Sequence, residues 1–236
     1  MYIMPLEKRI IVVTGHYGSG KTEFSVSLAM LLSHDEKLKY KRLAIIDLDI
    51  ANPYFRSRER RDMLEKNGIK LYGSAYEHEI TAELPALGAS SRIPLEDEDC
   101  QVIVDLGGNA DGAKVLQQFR KYFNTNQYIH LAVVNANRPD TRNIDGALEH
   151  LRDIEFATGL PVDAIVNNCH LLRETTADTI AKGHALCEEI SKQTGKKIAC
   201  DCYAPDLIDE KDLHDIGPYH MPIGLYMRPS WLDKLL

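Results

Sequence analysis

The sequence predicts an α/β fold, doubly wound around a mostly parallel sheet, and three observations lead there. Short apolar runs without polar alternation recur along the chain, as strands buried on both faces of a sheet require. Helical stripes separate these runs, and alternation of strand with helix gives a parallel sheet covered on both sides. The stretch GHYGSGKT (Gly15–Thr22) follows the first run and opens the first stripe. Its spacing, G-x-x-x-x-G-K-[ST], is that of a phosphate-binding loop set between a strand and a helix, which makes the expected fold that of a P-loop NTPase.

The strand-like runs, in order, are Ile10–Val13, Leu43–Ile46, Val102–Val104, Ile129–Val134 and Ala164–Val166. After the loop, Phe24, Leu28, Leu31 and Leu32 mark one helix face. Ile144, Ala147, Leu148, Leu151 and Ile154 mark a second, closed by Gly159 and Pro161. Ile180, His184, Cys187 and Ile190 mark a third, opened by Thr175 or Thr176 and stopped near Gly195. Gly68–Asp99, with Pro85, Pro94 and the acidic EDED, is the least regular stretch and reads as an exposed excursion between strands. With no internal repeat and no low-complexity linker, 1–236 is expected to be a single nucleotide-binding domain.

Composition narrows the function classes. A chain of 236 residues, 44% hydrophobic and 27% charged, has the make-up of an ordinary globular protein. A net charge of −7 argues against a nucleic-acid backbone as partner. The basic stretch FRSRERR (Phe55–Arg61) is followed by Asp62 and Glu65 and reads as a solvated helix face. The opening MYIMPLEKR is too short for a secretory signal, no apolar run nears the ~18 residues of a membrane span, and the tail SWLDKLL reads as packing. Five cysteines without framework spacing fit reduced thiols in a cytoplasm.

The expected nucleotide-contacting stretch is Gly15, His16, Tyr17, Gly18, Ser19, Gly20, Lys21, Thr22 and Glu23. A Cβ at Gly18 or Gly20 would crowd an anion or forbid positive φ, so glycine there lets backbone N–H groups surround phosphate oxygens. Lys21 supplies a cation and the Thr22 hydroxyl a ligand for Mg²⁺. Two aspartate motifs end strands, where ligands gather in such sheets. In LAIIDLDIANP, Asp47 and Asp49 share a face if the strand persists. In VIVDLGG, Asp105 stands at a strand tip suited to supporting Mg²⁺, with Gly107 and Gly108 behind it. Thr22, Asp49 and Asp105 are the candidate metal-site residues, and Lys21 and Asp49 the candidate catalytic pair.

GHYGSGKT, DLDIANP, VDLGGNADG and IVNNCH together resemble the MinD/ParA–nitrogenase iron protein group of P-loop ATPases, over about Arg9 to Asp206. Within that group the chain is similar to a bacterial ATP-binding set sharing GHYGSGKTEF, DLDIANPYFRSRE and VNANRP. The resemblance implies a dimeric ATPase using Mg²⁺·ATP. It implies that Asp49 polarises the attacking water, that Asp105 supports the metal, and that Asn167 reads adenine through its amide. It also implies that Pro205 and Asp206 pack on the base. The residues alone leave Asn167 or Asn168 as a turn after a strand, while NNCH lacks the carboxylate of the guanine-reading N-K-x-D. The group's loop carries a lysine two residues before Gly18, reaching to a partner's phosphates; this chain has His16 there. Arg56, Arg58 or Arg138 could supply the missing charge, or serve as ordinary surface ion pairs.

Three functions follow. The first is a slow Mg²⁺·ATP hydrolase acting as a nucleotide-dependent switch, with a homodimer or another protein as partner. The second is a small-molecule ligase or kinase of dethiobiotin-synthetase type. The third is a metallochaperone ATPase using Cys200 and Cys202, whose spacing puts two thiols on one side of a strand. For that pair, buried free thiols are the plainer reading.

Overall fold

The computed structural model of the chain describes residues 7–35, 39–49, 60–73, 87–123 and 126–227. Its strands are β1 (Ile10–Gly15), β2 (Arg42–Leu48), β3 (Ile69–Gly73), β4 (Cys100–Leu106), β5 (Tyr128–Val134), β6 (Ala164–Asn167), β7 (Lys197–Tyr203) and β8 (His220–Pro222). Among the described residues they form one eight-stranded sheet, ordered β3-β2-β4-β1-β5-β6-β7-β8, with every adjacent pair parallel. Helices α1 (Lys21–Ser33), α2 (Arg61–Lys66), α3 (Leu87–Glu96), α4 (Ala110–Ala113), α5 (Ile144–Thr158) and α6 (Ala177–Thr194) lie between them.

β1 is central, with Val13 in register with Asp105 of β4 on one side and Leu131 of β5 on the other. The chain builds β2, β3 and β4 on one side of β1, then crosses it to build β5 to β8. Such a reversal opens a crevice at the carboxyl ends of the strands. The loop after β1 stands at that crevice.

Both faces of the sheet are apolar. Ile11 and Val13 pack with Phe24, Leu28 and Leu32 of α1, whereas Ile10 and Val12 pack with Phe119 and Phe123 of the 3-10 helix Lys114–Phe123. Two-sided burial is why the run IIVV shows no alternation. On the other half, Ala132, Val134 and Ile165 meet Leu151 and Ile154 of α5 and Cys187 and Ile190 of α6. The helix ends follow the sequence. Asn143 Oδ1 accepts the Gly146 N–H at 3.0 Å to start α5, and Gly159 (φ 68°) ends it. Thr176 and Thr179 form a reciprocal capping box on α6, which Gly195 (φ 72°) ends.

The structure departs from expectation in three places. The stretch expected to be an irregular excursion contains β3 and α3. β3 is an edge strand of five residues, and its alternation of buried Ile69 and Leu71 with exposed Lys70 is too short to stand out in sequence. α3 carries Pro94 in its interior and continues to Glu96. The stripe on α1 is also wider than four positions: Leu31 is exposed, while Ser25, Val26, Ser27 and Ala29 are buried. A C-terminal segment lies along this helix, where the Gly224 N–H donates to Ser27 Oγ at 3.0 Å. Finally, Arg61 turns from the expected solvated face, donating to the Leu71 carbonyl at 3.1 Å as well as pairing with Glu65. Residues 1–6, 50–59 and 228–236 lie outside the described residues, and with them most of MYIMPLEKR and FRSRERR, Arg56 and Arg58, and the tail SWLDKLL. Among the described residues, no helix is long and apolar enough to cross a membrane.

Candidate functional site

The loop leaves β1 at Gly15 and turns on itself, the Ser19 N–H donating to the His16 carbonyl at 2.9 Å. Gly18 and Gly20 take φ of 76° and 84°, values that L side chains rarely adopt. Two side chains from neighbouring strand tips hold the loop's carbonyls. Arg138 Nε donates to the Gly18 carbonyl at 2.7 Å, and Asn168 Nδ2 donates to the Ser19 carbonyl at 2.8 Å. The Ser19 carbonyl and the Gly20 N–H belong to one planar trans peptide and point in opposite directions. Asn168 therefore turns the Gly20 N–H away from itself. Gly20 is also the N-cap of α1 and provides no side-chain cap for the first-turn N–H groups of this helix.

Beneath the loop lies a buried cluster of opposite charges. Lys21 Nζ donates to Asp49 Oδ2, and both side chains are buried. β2 ends at Leu48, and Asp49 remains beside it because its N–H donates to Asp47 Oδ1 at 3.1 Å. Asp47 is in register with Asp105 on β4. Burial by itself would push the Lys21 ammonium down, but Asp105, Asp49 and Asp47 outweigh it and hold its pKa above the ordinary value. Asp105 is fully buried, and among the described residues neither carboxylate oxygen makes a well-formed hydrogen bond. Burial raises its pKa to about 7; Lys21 opposes the rise, Asp47 adds to it, and the Thr22 hydroxyl lies near enough to ease the charge. A Cβ on Gly108 would lie 2.9 Å from the Gly15 carbonyl oxygen and the Tyr17 nitrogen, so the turn after β4 rests against the loop.

Other expected site residues are placed differently. His16 Nε2 is 3.6 Å from the Asp140 carboxylate, and its ring meets His150 edge-on at 5.1 Å. Tyr17 is 65% exposed. Glu23, expected among the nucleotide contacts, instead holds the C-terminal segment: its two carboxylate oxygens accept the Tyr226 and Met227 N–H groups at 2.7 and 3.0 Å. Burial raises its pKa to about 7, against those two hydrogen bonds. Asn167 ends β6 fully buried, and its amide is committed within the chain. Its Nδ2 donates to Asp201 Oδ1 at 2.6 Å and the Ile180 carbonyl at 2.9 Å, while its Oδ1 accepts the Cys169 N–H at 3.2 Å. That geometry spends both amide hydrogens within the chain and leaves one lone pair of Oδ1. Pro205 and Asp206 are exposed on the turn after β7.

Cys200 and Cys202 share one face of β7, as spacing implies, but that face is the core beneath α1 and both thiols are buried. Among the described residues, no group of three or more His, Cys, Asp or Glu side chains is placed to hold a metal ion. His184, expected as a core residue, lies 2.9 Å from both oxygens of Asp201, whose hydrogen bond keeps its pKa raised despite burial. Sequence reasoning did not single out Asn168 as the loop's anchor. The only trace was the doubled asparagine at the end of an apolar strand.

No family model matches the chain. Among solved structures, the cell division protein FtsY from Thermotoga maritima is similar at 18% identity, covering 83% of this chain and 62% of that one, with a TM-score of 0.53. The signal recognition particle receptor FtsY from Elizabethkingia anophelis, in complex with GDP, is similar at 17% identity over 81% of this chain and 56% of that one, with a TM-score of 0.47. FlhF complexed with GMPPNP and Mg²⁺ is similar at 14% identity over 83% and 65%, with a TM-score of 0.44. The chain thus spans under two thirds of the length of each of these proteins. The parallel sheet, the loop after its central strand and the Thermotoga likeness agree on one conclusion: the chain has the α/β fold of a P-loop NTPase.

Proposed function

We propose that residues 1–236 form one Mg²⁺·ATP-binding domain of the MinD/ParA type, a slow ATPase whose nucleotide state switches its conformation or its partner. The observation that carries this reading is the carboxylate of Asp105, buried at a strand tip beside Thr22 and Lys21 with neither oxygen in a well-formed hydrogen bond among the described residues. A buried carboxylate so poorly hydrogen-bonded is costly unless a ligand completes it. Thr22 and Asp105 fit a hydrated Mg²⁺, the Thr22 hydroxyl as ligand and Asp105 through bound water. Bound there, Mg²⁺ would neutralise phosphate charge.

The chain's own residues divide the remaining work. Lys21 leaves Asp49 for the polyphosphate, and the same movement opens Asp49 Oδ2 to a water that it orients and whose proton it accepts. In the ligand-free chain the two hold each other, which suits a low basal rate. The reduced, buried thiols suit a cytoplasmic protein, and burial of Cys200 and Cys202 disfavours a metallochaperone role.

Calorimetry with Mg²⁺·ATP, Mg²⁺·GTP and metal-free ATP, followed by sedimentation in ATP and in ADP, tests the reading. Expected are Mg²⁺-dependent binding that favours ATP and an assembly state that differs between the two nucleotides. Absence of binding to either triphosphate would overturn the site. A preference for GTP would overturn the base assignment alone. Turnover that appears only with a small-molecule co-substrate would move the chain to the ligase class.

A further inference from the structure

The loop GHYGSGKT contains one permanent cation, Lys21, and polyphosphates in such loops ordinarily meet more than one. The position that resemblance gives to a second cation holds His16, whose ring is turned to Asp140 and His150. From the neighbouring strand tip, Arg138 lays its guanidinium along the loop. Its Nε donates to the Gly18 carbonyl, and a Cβ built on Gly18 would lie 3.0 Å from that nitrogen and 3.1 Å from Cζ. Among the described residues no carboxylate pairs with Arg138, and its terminal nitrogens have no hydrogen-bond partner, so their N–H groups stay unspent.

The arginine is also well fixed. Its own N–H donates to the Asn135 carbonyl at 3.2 Å, its carbonyl accepts the Thr141 N–H at 3.1 Å, and Pro139 follows it. A cation held this way loses little freedom when an anion arrives. Its charge is felt across the loop: His170, 3.4 Å from a Cβ built on Gly20, has its pKa lowered to about 4, by burial first and by Arg138 second.

We propose that Arg138 is a ligand of the nucleotide's polyphosphate, supplied from within the same chain. It stands in for the cation that related loops take from a partner. Nε grips the loop, and the two terminal nitrogens are left for the anion, with the planar fork that suits phosphate oxygens. Asn168, gripping the next carbonyl, positions the loop but adds no charge. The inference rests on the nucleotide reading above.

The test is titration of ATP, ADP and AMP, each with Mg²⁺, into the parent, Arg138→Gln and Arg138→Lys. Glutamine keeps a donor for the Gly18 carbonyl and removes the charge. Expected is an affinity loss that grows from AMP to ATP and reaches at least tenfold for ATP in Arg138→Gln, with partial recovery in Arg138→Lys and an unchanged ligand-free melting temperature. Equal loss for all three nucleotides, or no loss, would overturn the proposal by leaving Arg138 only a structural clamp. A parent that binds no nucleotide would overturn the nucleotide reading first and this inference with it. Phenylglyoxal labelling of the parent, read by mass spectrometry, decides the matter if the glutamine variant does not fold. Saturating Mg²⁺·ATP should protect Arg138 more than AMP does, and equal reactivity with and without ATP would overturn the proposal.

Discussion

Lys21 and Asp49, 28 positions apart, form an ion pair in which neither side chain is more than 8% exposed. The first residue of α1 is thereby tied to the residue that follows β2, and a ligand that claims one releases the other. Asp49→Asn should therefore keep nucleotide binding and slow hydrolysis at least tenfold, about 1.4 kcal/mol of barrier. Single-turnover hydrolysis of prebound Mg²⁺·ATP measures this. A rate within twofold of the parent would pass the water-positioning role to Asp47.

Lys21→Ala should abolish Mg²⁺·ATP binding in calorimetry, because a charge-assisted contact of this kind is worth ~1.5–3 kcal/mol and the backbone dipoles alone do not replace it. The ligand-free protein should also melt lower. Removing one partner of a buried pair typically costs ~3–5 kcal/mol, and here Asp47, Asp49 and Asp105 lose their shared cation. Unchanged affinity would remove the loop from the binding site.

Asp105→Asn should separate stability from function. With its folded pKa raised to about 7, Asp105 favours the native state fully below the unfolded carboxylate pKa of ~3.9. That contribution falls as pH rises and is gone above about 7, a loss on the order of a few kcal/mol. Asparagine does not titrate, so the variant should be the more stable protein at pH 8, and its advantage should shrink toward pH 5. Its Mg²⁺-dependent nucleotide affinity should fall. Buried His130 and half-buried His150, lowered to about 4, and Glu23, raised to about 7, titrate in overlapping windows, so the informative quantity is the difference between variant and parent in denaturant titrations.

Glu23→Ala should loosen the end of the chain. The Tyr226 and Met227 N–H groups would lose their acceptors, at ~1.5–3 kcal/mol for each bond to a charged group. Hydrogen exchange should show faster exchange at these two amides, with β1 and β4 still protected. Protection that persists at both amides would mean that the Ile223 and Gly224 backbone hydrogen bonds and the packing of Met227 hold the segment without Glu23.

His16→Ala should change ATP affinity by less than twofold, because the ring faces Asp140 and His150. Loss of ATP binding in this variant would make the histidine itself a phosphate ligand.

Much of this was legible in the sequence, for physical reasons that also mark where reading stops. IIVV, LAII and VIV announce strands because both sides of the sheet are covered, and the loop announces itself because its glycine spacing serves backbone geometry. β3 and β8 are edge strands of five and three residues, too short for a pattern to rise above chance. At Asn167 and Asn168 the residue type was readable and the direction was not. Where a strand ends, neighbouring side chains point apart, and only the fold decides which one reaches the loop. His184 was readable as buried, but its bond to Asp201 joins a helix to a strand, and no local spacing encodes such a pair.

The Glu23 latch also joins two segments made far apart in time. The loop is made early, yet the amide groups that close on its helix are made about 204 residues later. At ~5–20 residues per second of synthesis, that interval is on the order of 10–40 s. The walls arrive in sequence as well: β4 brings Asp105, then the turn after β5 brings Arg138, then the end of β6 brings Asn168. A ribosome halted after β5 would display a loop gripped at Gly18 but not at Ser19. Closure of the C-terminal segment on α1 should therefore come only after Met227 has left the ribosome.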